Sequence, residues 1–139
     1  MADGLLLHKI KERKLALSVD SAGTANYHIG SAPDQRMIKT AAAHGTPIDF
    51  LRARQFNKHD FKNFDLILVM DESNYNDVVR HASTEDEKKK VEFLLNYLQP
   101  GTNAKVPDPY YGTQEDFEAV YHLLDRATDA LILKLTHEQ

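Results

Sequence analysis

The segment Val106-Pro107-Asp108-Pro109-Tyr110-Tyr111-Gly112 sets one carboxyl group between two prolines and follows it with two aromatic rings. Proline fixes φ, so an aspartate flanked by two of them is held in place rather than free to turn. Such a carboxyl is a positioned acid, able to give or take a proton at a fixed point. Tyr110 and Tyr111 offer flat apolar faces that could wall a slot for an aryl ring. What the loop lacks is a nucleophile to serve, because the chain contains no cysteine. That count excludes a disulfide framework, a thiolate metal site and a cysteine nucleophile among these residues.

Other chemistries find less support. Seven histidines, at 8, 28, 44, 59, 81, 122 and 137, stand singly. They form no H-E-x-x-H pattern, so neither a metal site nor another cofactor is expected. No glycine pattern of the nucleotide-binding kind occurs. The net charge of −4 offers no basic face for nucleic acid. Lys88-Lys89-Lys90 follows Glu85-Asp86-Glu87 on a predicted helix and reads as a solvated, ion-paired face. No apolar run approaches the ~20 residues needed to span a membrane. Leu5-Leu6-Leu7 is too short for the apolar region of a signal peptide. With no cysteine, these features suit a cytoplasmic protein. At 139 residues, the chain is one domain, long enough to bury a core without metal or disulfide.

The elements that must position the loop follow from pattern. Residues 1–14 read as a helix with a stripe of Ala2, Leu6 and Ile10. Leu15, Leu17 and Val19 alternate, predicting a strand over 15–20. Small residues at 21–24 then let another backbone come close. Pro33-Asp34 opens a helix that ends at Ala43-His44, with Gly45 as a left-handed cap. Asn57 caps a short helix through Phe61 and Phe64. Residues 65–70 are the most apolar run and fit a strand buried on both faces. Asp71 caps the next helix, and Thr84 with Glu87 starts another that ends before Pro100-Gly101. A brief strand is expected at 103–106, and Thr113 with Asp116 starts a final helix of about five turns. Strands alternating with helices imply a parallel sheet covered on both faces. Its site should lie beyond the strands' carboxyl ends, where 20–30, 70–74 and 107–112 converge. Three short strands are few for so many helices, and the first helix has no strand before it.

Four segments carry a resemblance in order and at the right intervals. They are Val19-Asp20-Ser21-Ala22-Gly23-Thr24, Arg52-Ala53-Arg54-Gln55, Phe64-Asp65-Leu66-Ile67-Leu68-Val69-Met70-Asp71-Glu72-Ser73-Asn74 and Pro107-Asp108-Pro109-Tyr110-Tyr111-Gly112. Together they resemble a low-molecular-weight protein-tyrosine phosphatase across essentially all 139 residues. The resemblance implies an α/β fold of three layers, phosphotyrosine phosphatase I-like, with a parallel sheet flanked by helices. It also implies a leading strand and a C-x(5)-R-S-P loop before the first helix. This chain begins Met1-Ala2-Asp3-Gly4, so a single domain truncated at its N-terminus, with the first central strand absent, is expected.

In that family a cysteine thiolate attacks phosphorus and water later releases the phosphocysteine. The loop arginine and amides hold the phosphate oxygens. By resemblance, Asp108 is the acid that protonates the leaving phenolate and then takes a proton from water. Tyr110 and Tyr111 wall the aryl slot, Tyr27 and His28 form its opposite wall, and Leu51 lies at the rim. Ser21 matches a serine that hydrogen-bonds the phosphate loop. The implied partners are a phosphotyrosine protein or a small aryl phosphate. Without nucleophile and arginine the chain is expected to be inactive. A non-catalytic remnant that binds phosphotyrosine or another protein is the alternative. An arsenate reductase of the same fold is third, since its chemistry needs additional cysteines. The absent strand would lie between 15–20 and 65–70. The gap would be filled by re-pairing of those strands, by a second copy through the unpaired edges, or by upstream residues.

Overall fold

The computed structural model describes residues 1–23, 30, 33–52, 54–107 and 112–137. Helix α1 spans Ala2–Arg13 and closes on Lys14 in the left-handed conformation. Helix α2, Gln35–Ala43, starts from Asp34, whose carboxylate accepts the Arg36 N–H. It ends in paired bonds from Gly45 N to Ala42 O and from Thr46 N to Ala41 O. This geometry needs the positive φ of 80° at Gly45. Helix α3 is the single turn Asp60–Asn63, and strand β1 is Ile67–Val69. Helix α4, Glu72–Val79, is capped by Asp71. Helix α5, Glu85–Lys89, is capped by Thr84. Strand β2, Val91–Phe93, runs into a 3₁₀ turn at Leu94–Tyr97. Helix α6, Gln114–His137, closes the chain. None of these helices is long and apolar enough to cross a membrane.

Strands β1 and β2 pair in parallel, Ile67 with Val91 and Val69 with Phe93. The alternation of the strand sorts its neighbours into two layers. Val69, Val91 and Phe93 pack with Phe56, Phe61 and Val78, and Ile67 joins them. Leu66, Leu68 and Met70 turn to the other face, against a larger core built by Leu5 and Leu6 of α1 and Val120, Leu124 and Leu131 of α6. The sheet is therefore parallel, small and covered by helices on both faces.

Several expectations change, beginning with α3, where His59 rather than Asn57 stands at the N-cap and no side chain caps the turn. The helix expected from Thr84 to just before Pro100 stops at Lys89, because Val91 and Phe93 bury on one side while Glu92 stays exposed, and this alternating triplet pairs with β1. Residues 103–106 form no strand; Val106 N bonds Met70 O at 2.8 Å, and Asn103 pairs with the Asn96 side chain. Residues 15–20 form no strand either; Gly23 alone bridges to Gln55. Nor do 15–20 and 67–69 re-pair. Between them lies a cavity of about 450 Å³, walled by Leu17, Val19, Leu66, Leu68, Leu131 and Phe56. That space explains why Ile67 and Leu68 are only half-buried, where a strand buried on both faces is expected.

Candidate functional site

The N-terminal turn of α1 forms one end of the cavity. Met1, Ala2 and Asp3 line it together with Ser18 to Gly23, Met70 and Asn74. Residues 20–23 therefore meet Met70 and Asn74, which follow β1, beyond the carboxyl edge of that strand. No side chain caps the start of α1. Its first-turn N–H groups and positive dipole end favour negative charge, and the Asp3 carboxylate stands in that turn.

Ser21 reaches that turn directly. Its hydroxyl donates to Asp3 Oδ2 at 2.6 Å, and its N–H bonds Asp20 Oδ1 at 2.8 Å. Leu51 lies on the side of α1 away from the cavity. It packs on the main core, and its Cδ1 is 3.3 Å from the position that a Cβ on Gly4 would take. The same Cβ would meet Ile48 Cγ2 at 2.3 Å, so the 46–51 segment sits this close only because residue 4 has no side chain.

Asp108, Tyr110, Tyr111, Tyr27 and His28 lie outside the described residues. The ends of the acid loop are described. Val106 is tied to Met70 at the end of β1, and Thr113 N donates to Asp116 Oδ2 at 2.9 Å as α6 begins. The loop thus springs from the sheet edge that borders the cavity and returns into the longest helix.

Sequence reasoning gave no role to the charged frame behind Ser21. Arg54 donates from Nε to Asp20 at 2.9 Å. It also forks onto Asp60, with both bonds at 3.1 Å. Asp60 is 5% exposed, and burial works against its charged form. The Arg54 guanidinium and the Asn57 N–H nevertheless hold its carboxyl below the usual range. Bonding to Asp60 first, and to Asp20, raises the Arg54 pKa against the opposing effect of burial. These carboxylates occupy the guanidinium, which makes it a strut between the 20–23 and 54–60 segments rather than a phosphate ligand. Arg54 stands in the Arg52-Ala53-Arg54-Gln55 segment, and the buried acid six residues on was the available signal. Asp71 caps α4, its carboxylate accepting the Asn74 N–H at 2.8 Å.

One group of described residues, where the sequence reading expected no metal site, has the spacing to hold an ion: His44, Glu118 and His122. It lies between α2 and α6, away from the cavity lining. Glu118 and His122 stand four apart on a helix, a spacing visible in the sequence.

Comparison with known proteins agrees with this architecture. A human low molecular weight phosphotyrosine protein phosphatase is 43% identical over 117 residues, covering 84% of this chain and 73% of that protein. A Synechocystis sp. relative, named for the low molecular weight protein-tyrosine-phosphatases, is 37% identical over 139 residues, covering 99% of this chain and 88% of its own. The crystal structure of a protein tyrosine phosphatase from Entamoeba histolytica superposes with a TM-score of 0.89 at 34% identity, over 99% of this chain and 88% of that one. The model of the low molecular weight phosphotyrosine protein phosphatases matches residues 1–139, and the chain belongs to that family.

Proposed function

We propose that these 139 residues form the acid-bearing, aryl-recognising part of a protein-tyrosine phosphatase and do not turn over substrate by themselves. The observation that carries this reading is the family match along the whole chain together with the absence of any cysteine. The family's phosphocysteine chemistry needs a thiolate, and acid–base help worth about 10²–10⁴-fold does not replace it. Asp108 is the general acid in this reading. Tyr110, Tyr111, Tyr27, His28 and Leu51 frame an aryl phosphate, and Ser21 braces whatever loop holds its oxygens. The cavity supports the remaining part of the reading. It is lined by residues 17–20 and 66–70, which belong to the segments 15–20 and 65–70 between which the resemblance puts the family's leading strand. A strand in that space would run into a loop ending at the uncapped start of α1.

Two preparations test this. A homogeneous 139-residue chain should hydrolyse p-nitrophenyl phosphate no faster than buffer, and measurable turnover by it would refute the proposal. The same chain carrying a relative's leading strand and C-x(5)-R-S-P loop ahead of Met1 should hydrolyse it. In that active form Asp108→Asn should lower kcat by about 10²–10⁴-fold. An unchanged kcat would remove Asp108 from its role.

The non-catalytic reading has one observation in its favour, the same missing thiol. It predicts that the 139-residue chain binds phosphotyrosine measurably by calorimetry while releasing no phosphate.

A further inference from the structure

We propose that His44, Glu118 and His122 form a zinc site that clips the end of α2 to α6. Two elements supply the ligands. Glu118 and His122 are one turn apart on α6, so both point to the same side of it. His44 follows the last residue of α2, 74 positions from Glu118 in the chain. It is brought there by packing: its ring stacks on Tyr121 at 4.3 Å and meets the edge of His122 at 5.0 Å. The Tyr121 hydroxyl is itself held by a 2.7 Å hydrogen bond with Thr46 in the core. The platform under His44 is therefore rigid.

The distances suit an ion. Around tetrahedral zinc, with bonds of about 2.0–2.1 Å, ligand atoms stand about 3.3 Å apart. His44 Nε2 lies 2.6 Å from Glu118 Oε2, and His122 Nε2 lies 3.8 Å from the same oxygen. The two separations bracket the required one. The first is an ordinary hydrogen bond, but the second is too long for one, so His122 is gathered without a direct bond to the carboxylate. All three ligand atoms fall within 4.8 Å of one another. Small side-chain rotations would bring them around one ion. Two imidazoles and a carboxylate are a donor set that zinc accepts, with water completing the shell. The side chains are 30%, 36% and 61% exposed, so ion and water reach them freely. His8 and Glu12 make a similar pair at 3.0 Å, also four apart on a helix, and serve as an internal control without a third ligand in the described group.

The test is calorimetric titration of the chelator-treated 139-residue chain with Zn²⁺, repeated with Co²⁺ to read coordination from its visible spectrum. One ion per chain is expected, with a rise in melting temperature. His122→Ala should weaken binding at least about tenfold. This side chain is the most exposed of the three, so its loss leaves the fold intact, and far-UV circular dichroism checks that. Glu118→Gln should weaken binding similarly while keeping a hydrogen-bond acceptor for His44. His8→Ala should change nothing. Absence of saturable 1:1 uptake would overturn the proposal. So would uptake that survives His122→Ala, or uptake lost with His8→Ala.

Discussion

Asp60 shows how a single buried carboxylate can organise two segments. It takes two bonds from Arg54 and one from the Asn57 N–H, and Arg54 in turn reaches Asp20 beside Ser21. Asp60→Ala should destabilise the fold by about 2–3 kcal/mol, measured by urea unfolding, because it strands a half-buried guanidinium and an amide. The value falls below that for a fully buried pair because Arg54 keeps Asp20. An effect under about 0.5 kcal/mol would mean the fork is a surface contact of little weight. Residues whose work is local were legible in the sequence: Asp34, Asp71 and Thr84 cap helices as their types and spacing require. Residues whose work is non-local were not. Arg54 was visible as part of a motif with an acid six residues on, but the sequence does not show that this acid is buried, and His44 gives no hint of a partner 74 positions away.

At the scale of elements, α1 and α6 are joined by a polar clamp as well as by leucines. The Lys9 ammonium, 7% exposed, meets Asp125 at 2.7 Å, Asp129 at 3.0 Å and the Thr128 hydroxyl at 2.8 Å. Arg13 adds a 2.8 Å bond to Asp129. Burial favours the neutral form of Asp129, but Lys9 and Arg13 outweigh it and hold the carboxyl below the ordinary value of 3.8. A carboxyl lowered in the folded state adds stability above its unfolded pKa and loses it as pH falls through the folded one. Lys9→Met keeps the packing and removes the cation. It should cost about 1–2 kcal/mol at neutral pH, a figure reduced because both aspartates are nearly half exposed. The difference from the parent should shrink as pH drops below about 4, which thermal melts across pH will show; a gap independent of pH would contradict the clamp. Elements were read well where one helix carries its own pattern, as α6 does. Strand β2 escaped because Val91-Glu92-Phe93 is three residues long, follows a charged helix, and becomes a strand only by pairing with Ile67–Val69.

Among the described residues, helices lie on both faces of a two-stranded parallel sheet, and an apolar cavity of about 450 Å³ reaches both layers. Such a space is within the roughly 300–1,000 Å³ that small organic ligands occupy. Solvatochromic dyes such as ANS light up on exposed apolar surface and are the usual marker of a molten globule. This protein should brighten ANS while fully native, with its near-UV circular dichroism intact; failure to brighten the dye would mean that the cavity closes in solution. A dye-based melting curve would then start high and lose its contrast. The same reading, taken alone, would class an ordered protein as a disordered one.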